Sequence, residues 1–285
     1  MTRGADPDWW KEQFDEVYLL TDARSVLDDD VTRREIDLIL ALIPLSPEHE
    51  ILDLCGGHGR HSLELVRRGL TRCTVFDYSR YLVDRGRKEA DRLGFAIPFL
   101  QGDARRTNLS PERFDRVLVL GNSLGYLPSA EGDREILSEA MRLLAPGGRL
   151  LVDVVNGESV RSDFLPVAWH EADEDILVCR RRVLDGDVVR TREVVLSKRS
   201  GLIRDSSFSL RIYDPESMRR LLAGCGFSGI EVVVDFSPFR EIGDVGFMDR
   251  RMIATARKPW KAGSPRGAGP AGQNPVAGDR RPPVS

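Results

Sequence analysis

Short apolar runs alternate along the chain with longer segments whose apolar residues recur three to four positions apart, the periods of strand and helix. Runs near 50–54, 73–77, 97–100, 115–120 and 149–155 predict strands, and 61–68, 79–93 and 132–144 predict the helices between them. Before the first strand, 8–20 and 32–42 read as helices, the second with Ile36, Ile39, Leu40 and Ile43 on one face, and Pro44 and Pro47 end it. Strand and helix in alternation predict a doubly wound parallel sheet, which binds ligands at the carboxyl ends of its strands.

Beyond residue 156 the period changes. The β-rich runs 176–184, 188–198 and 203–213 are joined through Asp185-Gly186-Asp187 and Ser200-Gly201, both good hairpin turns, and predict a three-stranded antiparallel insertion. Asp214-Pro215-Glu216-Ser217 opens a helix to 223, and 230–236 with 252–256 add a closing antiparallel pair. The expected class is α/β: a doubly wound, mostly parallel seven-stranded sheet with an antiparallel β insertion covering the cleft.

Composition narrows the function classes. A chain of 285 residues can bury a substantial core. Its net charge of −3 gives no general attraction to nucleic acid, so no nucleic-acid partner is expected. Cys55, Cys73, Cys179 and Cys225 show no metal spacing and read as reduced, packed thiols. The N-terminus shows no export signal and no apolar run approaches the about 20 residues of a membrane helix, so a cytoplasmic protein is expected. Residues 261–285, a Gly, Pro and Arg mixture, are expected to form a disordered tail.

The candidate chemistry begins where the first strand breaks, at Asp53-Leu54-Cys55-Gly56-Gly57-His58-Gly59. Gly57 and Gly59 let the backbone turn sharply against a ligand, and a helix opens behind them, the arrangement of a nucleoside-cofactor loop. The glycine spacing alone leaves dehydrogenase and methyltransferase both open. Asp53 separates them, because a carboxylate repels a pyrophosphate and suits S-adenosylmethionine, which carries an ammonium and a sulfonium. Asp77, about twenty residues past the turn, is placed to accept ribose hydroxyls. Asp103 can accept from an adenine amino group, with Ala104 leaving room beside the ring.

These elements, with Phe114-Asp115-Arg116-Val117-Leu118-Val119-Leu120 and Leu144-Ala145-Pro146-Gly147-Gly148-Arg149-Leu150-Leu151-Val152, resemble the class I S-adenosylmethionine-dependent methyltransferases in order and spacing over roughly residues 35–160. One departure is Cys55, where that family usually has glycine. The resemblance implies that Asp53 and the Gly57 and Gly59 backbone hold the methionine part, Asp77 the ribose and Asp103 the adenine, with Cys55, Tyr78 and Ala104 also among the cofactor-binding residues. Asn122 and Ser123 would border the methyl group. The organisation it implies is an N-terminal helical lid (1–34) bringing Tyr18 to the cofactor, a cofactor-binding core (35–160), the β insertion on the substrate side (161–213), and the last part of the sheet (214–260).

Asn122-Ser123-Leu124-Gly125-Tyr126 and the insertion are similar to segments of small-molecule methyltransferases acting on sugars and secondary metabolites. The implied reaction is in-line displacement at the methyl carbon by N or O of a small-molecule acceptor. RNA or protein methylation, and nicotinamide-dependent oxidation, are the alternatives. His170 is the candidate general base, set against a packing role. Tyr126 and Tyr213 are candidates to border the acceptor, set against core packing. The near balance of nine Lys or Arg and eight Asp or Glu over 171–213 predicts a solvated sheet face.

Overall fold

The computed structural model describes residues 6–239 and 246–260. Its central sheet takes β1 (Ile51–Leu54), β2 (Cys73–Asp77), β3 (Phe99–Gln101), β4 (Phe114–Val119) and β5 (Leu144–Val155) as parallel strands. A second, four-stranded antiparallel sheet follows: β6 (Val167–Glu171), β7 (Ile176–Asp185), β8 (Val188–Ser197) and β9 (Gly201–Arg211). The chain then returns to the central sheet as β10 (Ser228–Phe236) and β11 (Arg251–Arg257), giving the order β3-β2-β1-β4-β5-β11-β10, with β11 antiparallel to both neighbours. Strand order reverses between β1 and β4, so a crevice opens outside their carboxyl ends.

Eight α-helices are described: α1 (Glu16–Thr21), α2 (Ala23–Val26), α3 (Asp29–Leu42), α4 (Arg60–Arg67), α5 (Arg80–Leu93), α6 (Ala130–Leu143), α7 (Gly157–Ser162) and α8 (Pro215–Gly224). The central sheet is buried on both faces. On one, Ile36, Ile39 and Ile43 join Leu65 of α4 against Leu118, Leu151 and Ile253. On the other, Leu137 and Leu143 of α6 and Met218 and Leu222 of α8 cover Leu52, Val117 and Val152. Each such side chain contributes about 1.5–3 kcal/mol by leaving water, which fixes the sheet that presents the crevice.

Three expectations need correction. The helix expected over 8–20 is broken: a 3₁₀ turn at Trp9–Lys11 gives way to extended backbone at Asp15. The Asp15 carboxylate accepts from Tyr18 N–H (3.1 Å) and starts α1, because an aspartate side chain competes with the helix for backbone donors. The insertion has four strands, since β6 adds itself to β7 in the register Val167↔Arg181 to Glu171↔Leu177. The sheet face carrying Arg180, Arg182, Glu193 and Arg204 is covered, and Arg182 and Glu193 are buried. The tail over 261–285 lies outside the described residues. Among them, no helix is long and apolar enough to cross a membrane, and no cluster of three metal-ligating side chains occurs.

Candidate active site

Asp53, the last residue but one of β1, lies beneath the glycine turn. Asp53 is fully buried; its Oδ2 accepts from the Ser62 hydroxyl (2.9 Å), and its Oδ1 has no partner within the protein. Burial pushes the carboxyl up to about 6, against the Ser62 bond and the nearby Arg60 charge. The loop closes tightly over it, since a Cβ on Gly56 would stand 2.6 Å from Asp53 Cγ. Cys55, where glycine was expected, nonetheless takes the left-handed region at φ +62°. Gly59 does not reach the cavity described below; a Cβ there would strike the Phe99 ring at 2.7 Å, so its bareness seats the turn on β3.

Asp77 ties the second strand to this turn. One carboxylate oxygen accepts from Gly57 N–H (2.8 Å) and the other from Ser79 N–H (2.7 Å), leaving each oxygen a lone pair for a further donor. Asp103 is held differently. Burial opposes its charge, but Arg105 overrides this through its backbone N–H (2.9 Å) and a two-nitrogen guanidinium contact (2.6–3.1 Å), holding the carboxyl below its ordinary value. Arg105 also lies over the Trp10 ring, which packs on Tyr78 at 4.6 Å between centroids.

The loop after β4 supplies the opposite bank. Gly121 and Asn122 both have positive φ, and the turn is pinned from behind. Gly121 N–H donates to Asp153 (3.0 Å), Val155 N–H donates to Asn122 Oδ1 (3.0 Å), and the Ser123 hydroxyl bridges the Leu120 and Cys55 carbonyls. Behind this lies a buried ion cluster. Arg251, fully buried, bonds both Asp153 (2.5 Å) and Glu35, and Glu35 also meets Arg60 and His61 (2.9 Å). Burial and the Arg60 charge depress His61 to about 4, so its ring is neutral at neutral pH.

Two cavities meet over these loops. The smaller, about 120 Å³, is bounded by Asp77, Tyr78, Asp103, Ala104 and Trp10. The larger, about 170 Å³, lies under the second sheet and is bounded by Arg180, Glu193, Thr191 and Phe208, with Trp9 and Asp22 from the N-terminal segment. Tyr18, Cys55, Gly57, Ser123 and Tyr126 border both, so the sequence-predicted residues of the two loops gather at the junction. Asn122 borders the larger only, and Asp53 lies beneath the floor.

Two predicted residues stand elsewhere. His170 is buried on β6 with Nε2 3.1 Å from the Thr21 carbonyl, and it lines neither cavity. Tyr213 is buried with its hydroxyl donating to Asp133 (2.5 Å), and it too lines neither cavity, whereas Tyr126 does. The residues that sequence reasoning missed are the charged ones of the second sheet, of which Arg180, Arg182 and Glu193 line the larger chamber and Arg204 stands behind them. Arg180 donates to Glu193 (2.7 Å) and to Asp22 (3.2 Å), and Arg204 donates to Glu193 (3.2 Å) and Asp15 (2.9 Å). No alternation with apolar positions marks them as inward, because Arg181 separates Arg180 from Arg182 and Asp205 follows Arg204.

A nucleoside with a cationic amino-acid end fits the smaller cavity and its floor. The unpartnered Oδ1 of Asp53 offers an acceptor to an ammonium, Asp77 has spare lone pairs, and the Tyr78 and Trp10 rings give a flat group an apolar wall.

Known proteins are similar to this chain in sequence and fold. The family described as methyltransferase domain matches residues 51–148. A Bacillus subtilis protein named "Putative methyltransferase YqeM" is 27% identical over 197 residues, covering 68% of this chain and 79% of the relative. The CcbJ methyltransferase of Streptomyces caelestis superposes with a TM-score of 0.68 at 19% identity, over 89% of this chain and 99% of that one. The sugar N-methyltransferase KedS8 of Streptoalloteichus sp. does so with a TM-score of 0.63 at 21% identity, over 86% and 94%. At these identities the two structures show the fold.

Proposed function

We propose that the chain, whose residues 51–148 match the methyltransferase-domain family, is a class I S-adenosylmethionine-dependent methyltransferase that transfers a methyl group by in-line displacement to nitrogen or oxygen of a small-molecule acceptor held in the larger chamber. The observation that carries this is the junction, where the cavity bounded by Asp77, Asp103 and Ala104 opens past Tyr18, Ser123 and Tyr126 into a second cavity under the antiparallel sheet. When bound, S-adenosylmethionine supplies a methyl group already activated by its cationic sulfur.

On this reading Asp53 meets the ammonium end, Asp77 the ribose hydroxyls, and Asp103 with Ala104 and Tyr78 the adenine. Asn122, Ser123 and Tyr18 border the reacting end. Cys55 and Gly57 shape the turn, and Gly59 acts one step removed by seating it. Burial keeps Tyr18 and Tyr126 protonated, so both offer ring surface and a hydroxyl donor rather than a base. Alignment of donor and acceptor carries the rate, and such positioning is worth about 7–11 kcal/mol in favourable cases.

The N-terminal segment serves as the lid. Its Phe14 carbonyl accepts from Ser79 of the core (2.6 Å), while Asp15 and Asp22 pair with Arg204 and Arg180 of the second sheet. His170 contributes here as a tether, through Thr21. The chamber's volume suits a small ring rather than a polymer, in keeping with KedS8, whose name gives sugar as its acceptor. Isothermal titration tests the donor half: S-adenosylhomocysteine binds, NAD(H) does not, and the reverse result would refute it.

A further inference from the structure

Five rings form a continuous wall on one side of the larger chamber. Tyr18 contacts Phe14 (5.1 Å between centroids), Phe14 contacts Tyr126 (5.4 Å), Tyr126 contacts Trp9 (5.6 Å), and Trp9 contacts Phe208 (5.5 Å). The wall runs from the junction into the chamber, because Phe14, Tyr18 and Tyr126 border both cavities and Trp9 and Phe208 only the larger. A polar wall of balanced charge continues from Phe208 along the second sheet: Thr191 pairs with Phe208 across β8 and β9 and with Arg182 across β7 and β8, while Arg180 bonds Glu193 and Asp22.

We propose that the acceptor is an amine carried on a small hydroxylated ring, its nitrogen lodged against the aromatic wall and its hydroxyls on the polar one. This rests on the donor reading above and adds the acceptor class to it. A neutral amine that attacks a methyl carbon forms the new N–C bond with its lone pair, the old S–C bond breaks with its electrons left on sulfur, and positive charge develops on nitrogen. Aromatic faces stabilise such a charge. An alcohol would instead need its proton removed, and the chamber's titratable groups are engaged otherwise: His61 with Glu35, Asp22 and Glu193 with Arg180. His58 is depressed to about 3 by burial. A wall of paired charges has no net sign to select an ion, but its alternating donors and acceptors match hydroxyls, each of which is both.

The test is a pair of probes of one shape, choline and 3,3-dimethylbutan-1-ol, titrated into the protein loaded with S-adenosylhomocysteine. Choline should bind at least about 10-fold more tightly, and Trp9→Leu and Phe208→Leu should each remove most of that preference while S-adenosylhomocysteine affinity holds. Equal binding of the two probes, or a preference that survives both substitutions, would overturn the amine assignment. In competition with choline, glucosamine should outdo both glucose and cyclohexylamine; cyclohexylamine as the better competitor would overturn the hydroxylated half. Absence of S-adenosylhomocysteine binding in the first titration would sink the donor reading instead, so the two failures are distinguishable.

Discussion

The two cavities that meet at Tyr18 and Tyr126 are built by different means. In the smaller, the carboxylates are held by backbone: Asp77 spans Gly57 and Ser79, and Asp103 takes the Arg105 N–H beside its guanidinium. In the larger, side chains hold one another across separate elements, as Arg180 of β7 does with Glu193 of β8 and Asp22 of the N-terminal segment. A site tied to backbone geometry keeps one ligand, because changing a residue changes the loop. A site of paired side chains can be re-cut one residue at a time while the sheet beneath it stands.

The difference can be broken at its strongest point. Asp77→Ala leaves the Gly57 and Ser79 N–H groups without acceptors and removes a ligand contact as well. We expect S-adenosylhomocysteine affinity to fall about 100-fold, which is roughly 2.7 kcal/mol and within the range for losing charge-assisted bonds. Titration calorimetry reads it, and an unchanged affinity would show that the turn does not depend on this carboxylate.

Glu193→Gln probes the other side. Arg180 and Arg204 lose their shared buried charge, so unfolding stability should drop by about 3 kcal/mol while donor affinity shifts less than about 2-fold. Chemical denaturation together with the same titration separates the two effects. A loss of donor binding equal to that of Asp77→Ala would erase the distinction between the cavities.

A third effect follows from Asp53, whose carboxyl stands at about 6 rather than its ordinary value. An acid raised in this way keeps its proton until the pH passes about 6, and only then offers full charge to an ammonium. Donor affinity should therefore rise about 10-fold between about pH 5 and pH 7, the gain flattening above that window. Asp53→Asn should bind more weakly and lose the slope; a slope that persists in the variant would assign the titration to another group. The smallest effect is expected at Cys55, whose φ of +62° suits glycine better. Cys55→Gly should raise stability by up to about 1 kcal/mol in thermal unfolding, the relief being partly offset by the freer unfolded chain.

How far each cavity could be read in advance follows from the same contrast. The smaller cavity is the more legible because each of its carboxylates stands at the end of an apolar run: Asp53 precedes the turn, Asp77 ends the next run, and Gly102-Asp103-Ala104 ends the third. The parallel sheet and the closing antiparallel pair follow from the alternation of periods. The acceptor side depends on contacts such as Asp22 to Arg180 and Asp15 to Arg204, which no spacing encodes, and opposite charges on one strand read equally well as a solvated face. His170 could not be placed for a related reason, since a histidine that bonds a distant carbonyl looks, in sequence, like one that faces a substrate. At Asp15 a single side-chain bond to Tyr18 N–H outweighed the helical spacing of the aromatic residues.

The central claim is that the junction of the two cavities is where methyl transfer occurs. A crystal structure with S-adenosylhomocysteine tests it most directly. The sulfur should lie beside Ser123 and Tyr126, with the adenine between Ala104 and Tyr78 and the ammonium within hydrogen-bond distance of Asp53 Oδ1. An adenine seated in the larger chamber, or a sulfur buried away from it, would contradict the claim.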